Sequence, residues 1–219
     1  MSIALPPAPA PPSTQPQPQP PEQAIPTAWG DLLYRLNIGQ YHAMAEAGVL
    51  GPQDRVELLE GLLVAKMTKN DAHLLATELA QEVFTRALPA GWSLSMQNPI
   101  TIAETNSEPE PDAKVVRGAR RDDTGRRVTS ADVAPVVEVA DSSVRKDQVG
   151  MKAIYAQAAI PFDWLLNIPA NRIEVHPDPT GADPSPDDRR RTDHGPDDAV
   201  PLTLDGREVA RISVRDLLP

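Results

Sequence analysis

Cysteine is absent from the 219 residues, which removes disulfides, thiolate zinc sites, iron-sulfur clusters and cysteine nucleophiles at once. Any metal must then be held by oxygen or imidazole, and the chain suits a reducing, cytoplasmic compartment. Long apolar runs are missing too. Those present are broken by charges, well short of the roughly 20 residues that cross a bilayer, so no membrane partner is expected. No positively charged start leads into an apolar stretch, and no signal peptide is expected either. Basic residues are outnumbered, 21 Lys and Arg against 31 Asp and Glu, for a formal net charge of −10. Broad adhesion to phosphate needs the opposite balance, so only a local basic patch is left open. The Gly-x-Ser-x-Gly elbow, a phosphate-binding glycine loop, a dinucleotide fingerprint and a His-x-x-x-His pair are all lacking.

Proline is abundant, with 25 residues, and it dominates Met1 to Ala28 together with Gln, Ala, Ser and Thr. Such a stretch has too little apolar surface to offset ordering entropy, so a disordered tail is expected there. Folding signals begin at Trp29. An amphipathic stretch at Ile38 to Ala47 ends near Gly48. Two short strands about a Glu-Gly turn fit Arg55 to Val64. Leu75, Leu79, Val83 and Ala87 lie at near-helical spacing in a helix predicted over Leu74 to Leu88. Strands follow at Trp92 to Met96, Pro99 to Ala103, Asp112 to Val116 and Val136 to Ala140. A basic stretch, Arg117 to Ser130, separates the last two. A helix over Val144 to Ala158 precedes strands at Phe162 to Asn167 and Arg172 to His176. Residues 177–198 read as a mobile acidic loop, and 200–212 as a hairpin turning at Asp205-Gly206. The alternation predicts an α/β (α+β) domain over 29–219, a mixed sheet with helices packed on it.

The chemistry centres on Asp112 and Glu138. Asp112 follows a proline at a strand start, and Glu138 sits among valines, where ionising a carboxylate costs several kcal/mol unless something compensates. Two carboxylates held together on neighbouring strands form a hard-oxygen site suited to Mg²⁺ (or Mn²⁺), with waters completing its shell. The alternative is plain structure, with Glu138 on the solvent face of a half-buried strand and Asp112 merely ending a turn. Of the histidines, His42, His176 and His194 read as surface residues, whereas His73 is open between structure and function.

Several motifs occur in a fixed order. They are Arg-Val-Glu-Leu-Leu-Glu-Gly (55–61), Lys-Met-Thr-Lys-Asn (66–70) with His73, and Gln-Asn-Pro-Ile (97–100). Ser-Glu-Pro-Glu-Pro-Asp (107–112), Val-Glu-Val-Ala-Asp-Ser-Ser (137–143), and Tyr155-Ala156 ahead of Ile160-Pro161 and Trp164 follow. From Leu36 to Pro219 this set resembles the Uma2 family of restriction-endonuclease-like proteins, within the PD-(D/E)XK nuclease superfamily. The resemblance implies a restriction-endonuclease-like fold with the active site at one end of a mixed central β-sheet. It implies Asp112 and Glu138 as metal ligands and Glu57 as a third carboxylate, ligating or positioning an ion. His73 matches the family histidine, and Asp147 an aspartate ahead of a helical lysine.

That lysine is where the chain departs from the pattern. Ala140 fills the third superfamily position, and four residues before Tyr155, where the family lysine stands, the chain has Met151. Lys152 is one place on, about 100° around a helix. Val144, Met151, Ile154, Tyr155 and Ala158 form one stripe, which turns Met151 toward the sheet, although a bulge at Gly150 would carry Lys152 inward instead. The expected function is a Mg²⁺-dependent endonuclease, a hydrolase acting on DNA through Asp112, Glu138, Glu57, His73 and Lys152. The alternative is a catalytically impaired nuclease-fold protein that binds nucleic acid or a protein partner. A homodimer is compatible with either.

Overall fold

Every residue of β5 (Val133–Ala140) is buried, as a β-branched strand covered on both faces should be. In the computed structural model, which describes residues 32–119, 121, 125–141 and 150–219, this strand is central to a six-stranded sheet ordered β3-β4-β5-β6-β7-β8. The partners are β3 (Trp92–Met96), β4 (Ala113–Arg117), β6 (Phe162–Asn167), β7 (Arg172–Pro177) and β8 (Thr192–His194). All adjacent pairs are antiparallel except β5 and β6. That parallel pair needs a crossover, and helix α3 (Lys152–Gln157) lies in it. Arg35–Pro219 form one compact unit. The proline-rich 1–28, Asp147 and the start of the expected 144–158 helix lie outside the described residues.

β5 begins three residues earlier than the sequence suggests. Pro135 cannot donate to a ladder, and the strand tolerates it beside a register shift between Lys114 and Val116 of β4.

Two cores flank the sheet. On one face α2 (Asp71–Ala87) and the hairpin of β9 (Ala199–Leu204) and β10 (Arg207–Ser213) cover Ala113, Val115, Val137, Val139, Trp164 and Leu166. The sequence stripe of α2 needs correction, because the buried positions are Ala76, Thr77, Ala80, Val83 and Phe84, while Leu75 is exposed. Two alanines one turn apart let the helix approach the sheet closely, which larger side chains on that stripe would prevent. On the other face Met151, Ile154 and Tyr155 pack with Leu59, Ile100, Ile102 and Val136.

The first hairpin, β1 (Val56–Leu59) and β2 (Leu62–Ala65), turns through Glu60 (φ 48) and Gly61 (φ 77), the left-handed pair a two-residue loop requires. A Cβ on Gly61 would come within 2.8 Å of Arg35 Cβ and Leu36 O, so glycine is required by space as well as by φ. α1 (Ile38–Glu46) starts at Asn37 with a reciprocal cap to Gln40. Unlike an amphipathic core helix, it buries none of its residues.

Two expectations fail on long-range pairing. Pro99 to Ala103 is not a strand: Ile100 and Ile102 are buried, but their backbone bonds go to Pro109 and Ser107 rather than into the sheet. Residues 177–198 are not a featureless loop, since β8 pairs with β7 there and Pro179 bridges Asp188.

Candidate active site

Alternation along β5 sends Val137 and Val139 into the α2 core and Glu138 to the opposite face. Asp112 stands just before β4, beside it. The Val139 N–H donates to Asp112 Oδ2 at 3.0 Å, and the Asp112 N–H faces Glu138 Oε2 at 3.4 Å. Two buried carboxylates, 7% and 8% exposed, are thereby each bonded to backbone beside the other.

They open into a cleft of about 380 Å³ that Glu57, His73, Lys69 and Met151 also line. Glu57 comes from β1, is buried, and accepts from the Glu110 N–H at 3.3 Å. His73 comes from the first turn of α2, where Asn70 caps its N–H, and its Nε2 lies 3.1 Å from Asp112 Oδ2. Lys69, immediately before that cap, places Nζ 2.7 Å from Asp112 Oδ1. The Tyr155 hydroxyl donates to Glu138 Oε1 at 2.6 Å.

The electrostatics follow from these contacts. Burial alone would raise the Asp112 carboxyl, but the hydrogen bonds and charges of His73 and Lys69 outweigh it and hold the group below its ordinary value. Burial, then the neighbouring Glu138, pushes the Tyr155 phenol well above 10, so its proton stays available to Glu138.

Of the residues singled out in the sequence, Asp112, Glu138, Glu57 and His73 meet in one cleft. Lys152 does not join them. A wide turn of backbone does occur at Gly150 and Met151, yet it delivers Met151, 3% exposed, to the cleft. The Lys152 ammonium instead pairs with Asp187 Oδ1 at 2.5 Å. His42 and His176 are not plain surface residues either: His42 Nε2 meets Glu108 Oε2 at 2.8 Å, and His176 is buried.

Sequence reasoning passed over Lys69 and the Tyr155 hydroxyl. A signal for Lys69 existed, because a cation just ahead of a helix N-terminus opposes the helix dipole, and such a conflict marks a residue held by something else.

The donor set suits a hard cation in part. Among the described residues no three His, Asp or Glu side chains gather into a ready-made metal cage. What the cleft offers is a carboxylate pair, and Mg²⁺ is commonly held by one or two carboxylates, keeping waters and taking substrate phosphate oxygens for the rest.

Residues 38–207 match the family model of Uma2, described as "Putative restriction endonuclease". The chain belongs to the Uma2 family. No curated protein matches it. Among solved structures it is similar to "a putative nuclease belonging to DUF820" from Anabaena variabilis, with a TM-score of 0.58 and 14% identity, over 80% of this chain and 96% of that one. The Uma2 chain thus has the restriction-endonuclease-like fold its motifs imply, a mixed central sheet flanked by helices with the carboxylate cleft on one side of β5. No helix among the described residues of this Uma2 protein is long and apolar enough to cross a membrane.

Proposed function

We propose that this protein is a divalent-cation-dependent endonuclease that hydrolyses phosphodiester bonds of DNA in the cytoplasm, with Asp112 and Glu138 holding the cation. The observation that supports it best is the pair of buried carboxylates, each bonded to backbone beside the other and Glu138 also to a phenol. Nothing in a purely structural role needs two buried acids beside one another, since both cost desolvation and repel when ionised.

A cation held there supplies Lewis acidity, polarising a phosphoryl oxygen and acidifying water. The residues do the rest. Val139 N–H and His73 orient Asp112, while Tyr155 fixes Glu138 with its remaining oxygen toward Asp112. Arg55 and Lys66 also line the cleft, Lys66 paired there with Glu110 Oε2. In the hydrolysis one water is consumed. Its oxygen bonds to phosphorus, the P–O ester bond breaks, and the departing oxygen leaves as an alcohol carrying one of the water's protons.

One observation favours a second reading. Met151 occupies the cleft at the helix position where the family resemblance calls for lysine, which fits a nuclease fold that binds nucleic acid without cutting it. Nicking of supercoiled plasmid with Mg²⁺ or Mn²⁺ separates the two. Cation-dependent nicking by the wild type, lost in Asp112→Asn, supports the enzyme; plasmid retention without nicking by either protein supports the second reading.

A further inference from the structure

Among the described residues there are four lysines, and the structure gives each a different task. Lys152 is committed to Asp187. Lys114, two residues beyond Asp112, is fully buried and donates to the Asn98 carbonyl at 2.5 Å. Lys66 pairs with Glu110 Oε2 at 2.5 Å on the rim of the cleft. Lys69 reaches an acid of the carboxylate pair directly, with Nζ 2.7 Å from Asp112 Oδ1.

We propose that Lys69 is the catalytic cation of the cleft, donating to a non-bridging oxygen of the scissile phosphate and replacing the ammonium that Met151 lacks. This rests on the nuclease reading above. Three features carry it. First, Lys69 arrives from the segment between β2 and α2 and Met151 from the crossover between β5 and β6, and both line the same cleft. A charge can therefore be supplied there without any lysine on α3. Second, the ammonium has three donors, and only one is spent on Asp112 Oδ1. Its side chain is 31% exposed and lines the cleft. Third, the position is held by its partner rather than by its own helix. A positive charge beside the N-terminus of the 17-residue α2 is disfavoured by the dipole, so the ammonium is stabilised by the carboxylate, as a charge that stays in place for an incoming phosphate must be. A preorganised charge of this kind is typically worth about a hundredfold in rate.

The test compares wild type with Lys69→Ala, Lys69→Arg, the double variant Lys69→Ala/Met151→Lys, Asp112→Asn, and Lys146→Ala at the chain's fifth lysine, which lies outside the described residues. Plasmid nicking in Mg²⁺ is one readout. The other is thermal unfolding in Mg²⁺ with and without inorganic phosphate, which reports phosphate capture by the folded protein without any turnover. Lys69→Ala should nick about a hundredfold more slowly, Lys69→Arg should keep a larger share of the rate, and the double variant should regain at least about tenfold. Lys69→Ala should keep the melting shift given by Mg²⁺ and lose the extra shift given by phosphate, a split that a merely structural role would not produce. Nicking by Lys69→Ala within about threefold of wild type overturns the proposal, as does a phosphate increment that survives in that variant. So does loss of nicking in Lys146→Ala with Lys69→Ala unaffected. If Asp112→Asn is dead while Lys69→Ala is not, the nuclease reading stands and Lys69 alone falls. A wild type with neither nicking nor a Mg²⁺ shift overturns both.

Discussion

Met151 and Lys152 are neighbours in sequence that serve different sites: the first lines the carboxylate cleft, and the second pairs with Asp187 in the segment beyond β7. One residue of helix is about 100° of rotation, enough to send the two side chains to different sides of α3. Lys152→Ala should therefore leave any nicking within about threefold of wild type. Its cost should fall on stability instead, and stay below about 1 kcal/mol, because the Asp187 end of the pair is largely exposed, 59%, and screened. A hundredfold loss of nicking in that variant would falsify this assignment.

Glu138 and Tyr155 give a prediction that separates binding from packing. Divalent cation should raise the melting temperature by selective binding to the folded protein, and Glu138→Gln should remove most of that shift. Tyr155→Phe deletes a single donor to Glu138 Oε1 and should cost about 1 to 3 kcal/mol of stability, the usual penalty for a buried charged group losing its hydrogen bond. The cation shift should largely survive it. Calorimetric melts with and without Mg²⁺ check both, and an unchanged Mg²⁺ response in Glu138→Gln would remove Glu138 from the site.

How far the sequence reached depends on the range of the interactions involved. The Glu60-Gly61 turn, the β9–β10 hairpin and the valine-rich β5 are set by near neighbours, and they stand close to where residue types put them. The inward direction of Met151 was also legible, being a matter of helix phase. Ile100 and Ile102 misled because alternating buried isoleucines look alike whether their backbone joins a sheet or bonds to loops near Pro109 and Ser107. β8 was invisible for the opposite reason. Thr192–His194 has no apolar pattern, and it is held on β7 where Arg191 reaches the buried Glu174 at 3.0 Å, a pairing fixed only in three dimensions. Lys69 was overlooked because its partner, Asp112, is 43 residues away.

The same polar segment makes stability depend on pH. Burial, opposed by Lys152 and reinforced by Asp187 and Asp178, pushes the Asp188 carboxyl up to about 7. In the unfolded chain the group titrates near 3.9. Its folded value is raised, so the favourable contribution is complete below about pH 4 and is lost as pH climbs through 7. Asp188→Asn should match wild type near pH 4 and become more stable than it by pH 8. Denaturant midpoints across that range provide the check, and a difference that shrinks toward pH 8 would contradict the assignment.

The last prediction concerns the cleft position that lost its charge. Met151 is 3% exposed and lines the space beside Asp112 and Glu138. Methionine and lysine are similar in length and both unbranched, so Met151→Lys places an ammonium close to where the thioether now ends. In a wholly apolar pocket such a change would be severe, but here two carboxylates stand by to compensate it. A stability loss of about 1 kcal/mol is expected, typical of a core substitution that keeps its volume. Since Lys69 already occupies Asp112 Oδ1, the new charge should settle against Glu138 and the phosphate, and metal-dependent nicking should rise about tenfold over wild type. The gain should be larger when Lys69 is alanine, because two lysines contacting one phosphate are not additive. Nicking rates for the four combinations at positions 69 and 151, with Asp112→Asn as the blank, form a double-mutant cycle. Equal gains from Met151→Lys in both backgrounds would mean that the two ammonium groups act on different atoms and that Met151 does not occupy the place Lys69 has taken over.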